Sequence, residues 1–65
     1  MKIKVNGKTV ETQGGTLAAL LDELGFSGKK IATAVNEEFV PATKRETHQL
    51  ADGDRVEIVA PRQGG

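Results

Sequence analysis

Thr16-Leu17-Ala18-Ala19-Leu20-Leu21-Asp22-Glu23-Leu24-Gly25 is the stretch on which the fold turns. Leu17, Leu20, Leu21 and Leu24 fall at i, i+3, i+4 and i+7, one apolar stripe at helical spacing, while Asp22 and Glu23 face water. Thr16 is placed to cap the first free backbone donors, and Gly25 to end the helix in the left-handed conformation that a Cβ disfavours. Fully burying one leucine is worth roughly 1.5–3 kcal/mol, so this helix brings the largest block of core.

Toward the N-terminus, Lys2, Ile3, Lys4 and Val5 alternate with the period of a half-buried strand. Asn6-Gly7 follows, a pair that accepts positive φ at both positions of a tight hairpin turn, so residues 8–12 read as the returning strand. Gln13-Gly14-Gly15 then breaks the strand ahead of the helix. Beyond the helix, residues 26–30 form a linker, and Ile31-Ala32-Thr33-Ala34-Val35 fits a covered strand. Asn36-Glu37-Glu38 turns the chain into the short apolar pair Phe39-Val40, and Pro41 removes the donor that a central strand would need. Residues 42–49 show no clear period and read as a connecting loop with room for one helical turn, anchored by Leu50. Asp52-Gly53-Asp54 is a turn, after which residues 55–60 alternate again with Val56 and Ile58 inward, until Pro61 halts the strand.

The order hairpin, helix, strand, short strand, loop, strand predicts an α+β fold. A mixed sheet of four or five strands with one helix across it buries these faces most simply, with the first and last strands parallel in its middle. That arrangement is the β-grasp, or ubiquitin-like, fold. The 65 residues are expected to form one domain, 1–65, with 61–65 a flexible tail reaching at most about 17 Å from the body.

Composition removes most chemistries. A chain of this size buries only about 60% of its unfolded surface, which leaves little room for an internal catalytic cleft. There is no cysteine, hence no disulfide, thiolate metal site or cysteine nucleophile. Nine basic residues balance nine acidic ones, so no net field draws nucleic acid or an anionic membrane. No apolar run spans a bilayer and no signal segment follows Met1, so a cytoplasmic protein is expected. His48 is a lone histidine in a polar loop and receives no role. Asp52 and Asp54 lack the rest of a calcium-loop ligand series and read as turn chemistry. Gly14-Gly15 lacks the lysine of a phosphate loop, and Lys29-Lys30 and Glu37-Glu38 read as solvated.

The tail Arg62-Gln63-Gly64-Gly65 is what remains. Paired glycines contribute no core and cost ordering entropy, so alone they describe a frayed end or a cloning remnant. They also suit a narrow enzyme channel that admits only backbone and a carboxylate. Read with the segments before it, the tail tips toward the second meaning. The run Ala34-Val35-Asn36-Glu37-Glu38-Phe39-Val40-Pro41, the stretch Leu50-Ala51-Asp52-Gly53-Asp54-Arg55-Val56-Glu57-Ile58-Val59, the opening Val5-Asn6-Gly7 and the final Gly64-Gly65 together resemble the thiamine-biosynthesis sulfur carriers, ThiS-like proteins of the ubiquitin-like β-grasp family. The resemblance covers essentially the whole chain. It departs after Val40-Pro41, where family members often have an arginine and, three residues on, an aromatic; here those positions hold Ala42 and Arg45.

The resemblance implies a protein co-substrate and not an enzyme. Gly65 would be adenylated by a ThiF-type (E1-like) activating enzyme and converted to a thiocarboxylate with sulfur from a cysteine desulfurase or similar donor, and a ThiG-type thiazole synthase would consume that sulfur. No cofactor is expected on the chain itself; ATP and Mg²⁺ would act on the partners. Gly64 would thread the partner channel with Gly65, Gln63 and Arg62 would lie near its mouth, and Val59, alternating away from Val56 and Ile58, is expected on the open sheet face as part of a docking surface. No catalytic residue and no metal ligand is expected. Three alternatives stand beside this: a molybdopterin-synthase small subunit, in which bulkier apolar residues commonly precede the glycines; a ubiquitin-like modifier; and a non-conjugating β-grasp interaction domain.

Overall fold

The computed structural model describes residues 1–13 and 15–60. Strand β1, Lys2–Val5, pairs antiparallel with β2, Lys8–Glu11, in the register Ile3↔Val10 and Val5↔Lys8. The turn joining them has φ +50° at Asn6 and +86° at Gly7, the positive pair that matches strand twist in a two-residue hairpin.

Helix α1, Leu17–Glu23, is held at both ends. Thr16 Oγ1 accepts from Ala19 N at 3.2 Å, and Leu20 N donates to Thr16 O. The two donors before these are met from across the molecule: Leu17 N reaches His48 O at 2.9 Å and Ala18 N reaches Arg45 O at 3.0 Å. All the amides of the first turn are thus satisfied, half of them by the 42–49 loop. At the other end Gly25, φ +86°, donates to Asp22 O, and Phe26 N donates to Leu21 O, the paired bonds of a Schellman stop.

Strand β3, Ala32–Val35, pairs antiparallel with β4, Glu38–Val40, and with β5, Arg55–Val59. β5 also lies parallel to β1, in the register Lys4↔Arg55 and Val5↔Val56, giving the five-stranded order β2-β1-β5-β3-β4. The expected β-grasp architecture, with first and last strands parallel at the centre, is the one observed. Leu17, Leu20 and Leu21 from the helix meet Ile3, Val35, Val40, Val56 and Ile58 from the sheet, with Leu50 sealing the loop side. Leu24 and Phe26 pack at the margin of this core.

Strand ends differ from the sequence reading: β2 stops at Glu11, not Thr12, and β5 at Val59, not Ala60. The third strand begins at Ala32, not Ile31, because the Ile31 carbonyl is taken by Arg45 Nη2 at 2.7 Å. The turn after β3 is the two residues Asn36-Glu37, which frees Glu38 for β4. The 42–49 loop opens with a single 3₁₀ turn, Ala42–Lys44, directly after Pro41, the one helical turn for which the sequence reading left room. Among the described residues no helix is long and apolar enough to cross a membrane.

Candidate functional site

The expected reactive residues Gly64 and Gly65, the flanking Arg62 and Gln63, and the strand-ending Pro61 lie outside the described residues, as does Gly14. What the structure describes is the body from which that tail leaves. β5 runs between β1 and β3, and its alternation sends Val56 and Ile58 into the core and Arg55, Glu57 and Val59 to the face opposite the helix. Val59 is 63% exposed, on the face expected of it.

Neighbouring strands build that face outward. Register places Ala32 beside Val59, and Ala34 between Glu57 and Phe39. Phe39 is 69% exposed, a large aromatic side chain left in water. Such exposure is more informative than a buried leucine, since it leaves folding stabilisation unused. Phe39 and Val59, with Ala32 and Ala34 between them, form an apolar patch next to the point where the chain leaves β5. Sequence reading singled out Val59 and missed Phe39, which it left within an apolar pair. The signal was present: in an extended segment Phe39 and Val40 must face opposite ways, and only one can meet the helix.

Near its end toward the tail, β5 is fastened at Ile58 by a side chain from the first hairpin. Asn6 Oδ1 accepts from Ile58 N at 2.9 Å, Asn6 Nδ2 donates to Ile58 O at 3.1 Å, and the Asn6 backbone donates to Val56 O.

At the opposite end of β5, the acidic pair serves the backbone. Asp52 Oδ1 accepts from Lys2 N at 2.6 Å. Asp54 Oδ2 accepts from Ala51 N at 2.8 Å and its Oδ1 from Asn36 Nδ2 at 3.0 Å. The Ala51 amide, then the Asn36 amide, hold the Asp54 carboxyl below the ordinary carboxylate range, because both bonds favour the ionised form. Among the described residues no group of three or more His, Asp or Glu is arranged to hold a metal ion. His48 contributes its carbonyl to the helix start.

A shallow cleft of about 250 Å³ lies between α1, the loop after it and the 3₁₀ turn, lined by Asp22, Phe26, Lys29, Arg45 and Glu46 among others. No strand residue lines it, so it is separate from the open face.

Comparison with known proteins gives a consistent set. The family model described as the ThiS family matches residues 3–65. The sulfur carrier protein ThiS of Thermus thermophilus is 39% identical over 61 residues, 94% of this chain and 95% of that protein. A thiazole synthase of Paramagnetospirillum magneticum is 39% identical over 66 aligned positions; these take in 100% of this chain and 20% of that protein. The crystal structure of the thiamine biosynthesis protein ThiS from Geobacter metallireducens superposes with a TM-score of 0.84 at 26% identity, covering 100% of both chains. The solution structure of a thiamine biosynthesis protein from the same organism gives 0.78 at 26% identity, over 100% of this chain and 88% of the other.

Proposed function

This chain belongs to the ThiS family, and on that premise we propose that it is a sulfur carrier for the thiazole part of thiamine, with Gly65 as its reactive end. The observation that carries the reading is the near end-to-end match to a sulfur carrier, together with a family match that runs through Gly65.

The chemistry requires activation. A carboxylate with a pKa of about 3.5 is ionised at neutral pH and is a poor electrophile with a poor leaving group. A ThiF-type enzyme using ATP and Mg²⁺ joins the Gly65 carboxylate to AMP and releases pyrophosphate. The terminal sulfur of a donor enzyme's persulfide attacks the carbonyl and AMP departs. A thiol then attacks the persulfide's inner sulfur, which frees the thiocarboxylate and leaves a disulfide behind. The carrier supplies none of the catalytic groups; Gly64 and Gly65 thread the partner's channel, and Gln63 and Arg62 lie at its mouth. Phe39 and Val59, with Ala32 and Ala34, form the surface on which partners dock, close to where the tail starts.

The acceptor is a thiazole synthase. Similarity to one fifth of a thiazole synthase polypeptide supports this choice, since joining carrier to acceptor raises their effective concentration without any new contact.

Intact-mass measurement tests the reading. After incubation with a ThiF-type enzyme, ATP, Mg²⁺ and a persulfide donor, the carrier gains the mass difference between sulfur and oxygen, on a fragment containing Gly65. An unchanged mass refutes the carrier chemistry. Lysine-linked conjugates in the same mixture point instead to a ubiquitin-like modifier.

A further inference from the structure

β1 stops at Val5 and the chain turns away through Asn6-Gly7, while β5 continues to Val59. Past that point β5 keeps its β3 partner on one side, Val59 opposite Ala32, but loses its strand partner on the other. Ile58, with a side chain only 5% exposed, would be left there with an unpaired N–H and C=O. The Asn6 carboxamide supplies both missing groups at 2.9 and 3.1 Å, standing in for one more peptide of β1. The turn alone does not demand this residue, because glycine accepts φ +50° more readily than asparagine does. What asparagine adds is the amide, and the amide is spent on the strand that leads into the tail.

We propose that Asn6 is a positioning residue for the carrier's reactive end. Its side chain pins Ile58 to the β1 hairpin and so fixes the place and direction from which residues 61–65 set out toward a partner's active site. The inference rests on the reading of Gly65 as the group that is activated. Docking through Phe39 and Val59 brings the body to the enzyme; alignment of the carboxylate with ATP depends on where β5 releases the chain. A launch point that wanders lowers the fraction of docked complexes in reactive geometry, and small misplacements of reacting atoms are costly. The effect therefore falls on kcat and spares KM.

Asn6→Gly keeps the turn and removes the clamp. Asn6→Asp keeps an acceptor for Ile58 N and sets a carboxylate oxygen against Ile58 O. Pyrophosphate exchange catalysed by a ThiF-type enzyme with ATP and Mg²⁺ gives kcat and KM for the carrier, while amide hydrogen exchange at Ile58 and thermal melting report the clamp and the fold. For Asn6→Gly the expected result is a kcat lower by about tenfold at unchanged KM, with faster exchange at Ile58. Asn6→Asp should keep the Ile58 amide protected and give an intermediate kcat. Wild-type kcat in Asn6→Gly with Ile58 deprotected overturns the positioning role and leaves the carrier reading intact. A loss that follows only the unfolded fraction, or that appears in KM alone, overturns it in favour of a purely structural role. Wild-type carrier that supports no exchange overturns the carrier reading and this inference together.

Discussion

Glu37 is held at φ +72° in the two-residue turn between β3 and β4, a position where glycine is the favoured residue. The left-handed conformation costs a residue with a Cβ about 1–2 kcal/mol, and glycine's extra freedom when unfolded returns about 0.5–1 of that. The Glu37–Arg55 contact at 3.8 Å joins side chains 78% and 59% exposed and weighs little against this. Glu37→Gly should therefore stabilise the protein by about 0.5–1 kcal/mol, read as a higher urea midpoint at unchanged m value. Asp54 makes the opposite case, a residue well matched to its place. Its folded-state carboxyl titrates below the ordinary value of 3.8, so its contribution is present above that value and is lost as the pH falls through the folded-state one. Asp54→Asn should lower stability at neutral pH and flatten the acid side of the stability profile, measured by denaturation at a series of pH values. The turn role of Asp52-Gly53-Asp54 was legible in the sequence because the pattern is local. The Asn6 clamp was not, since its partner Ile58 lies 52 positions away.

The hairpin, the helix and the last strand were each legible, because each announces itself by period and by its stop residues. The 42–49 segment was not, because its order does not come from apolar periodicity. It is a lid of carbonyls over the helix start, His48 O and Arg45 O taking the Leu17 and Ala18 amides, and Leu50 N returning a bond to Gly15 O at 2.8 Å. Arg45 ties this lid to the sheet. Its Nε donates to Thr33 Oγ1 at 3.1 Å and its Nη2 to the Ile31 carbonyl, while the hydroxyl of Thr33, 2% exposed, donates to Val40 O at 2.8 Å. Arg45 thus holds its place through hydrogen bonds. Arg45→Met preserves much of the volume and removes the donors. It should cost about 2 kcal/mol in urea unfolding and speed exchange at the Ala18 amide.

For the whole molecule, the sheet has one face packed against the helix and an opposite face on which Phe39 and Val59 stand exposed. Phe39 and Val59 are exposed enough that changing them should spare the fold. Phe39→Ala and Val59→Asp should each weaken binding to a thiazole synthase by more than about 1 kcal/mol in calorimetric titration, while the melting temperature stays near wild type. A fall in melting temperature with unchanged binding would assign these residues to the core instead. The topology was legible because the right-handed crossover leaves few ways to place the last strand. The membership of the open face was only half legible, since it depends on the register of β4 against β3. The central position of β5 also governs when the molecule can fold. Pairing Lys4 with Arg55 joins the two ends of the sequence, and the loop-closure entropy must be met before that contact stabilises anything. A nascent or clipped chain without β5 has a β1–β2 hairpin and a β3–β4 hairpin with no strand between them. The strand that leads into the tail is the same strand that completes the sheet, so a cut ahead of β5 removes the sheet's centre and the tail in one event.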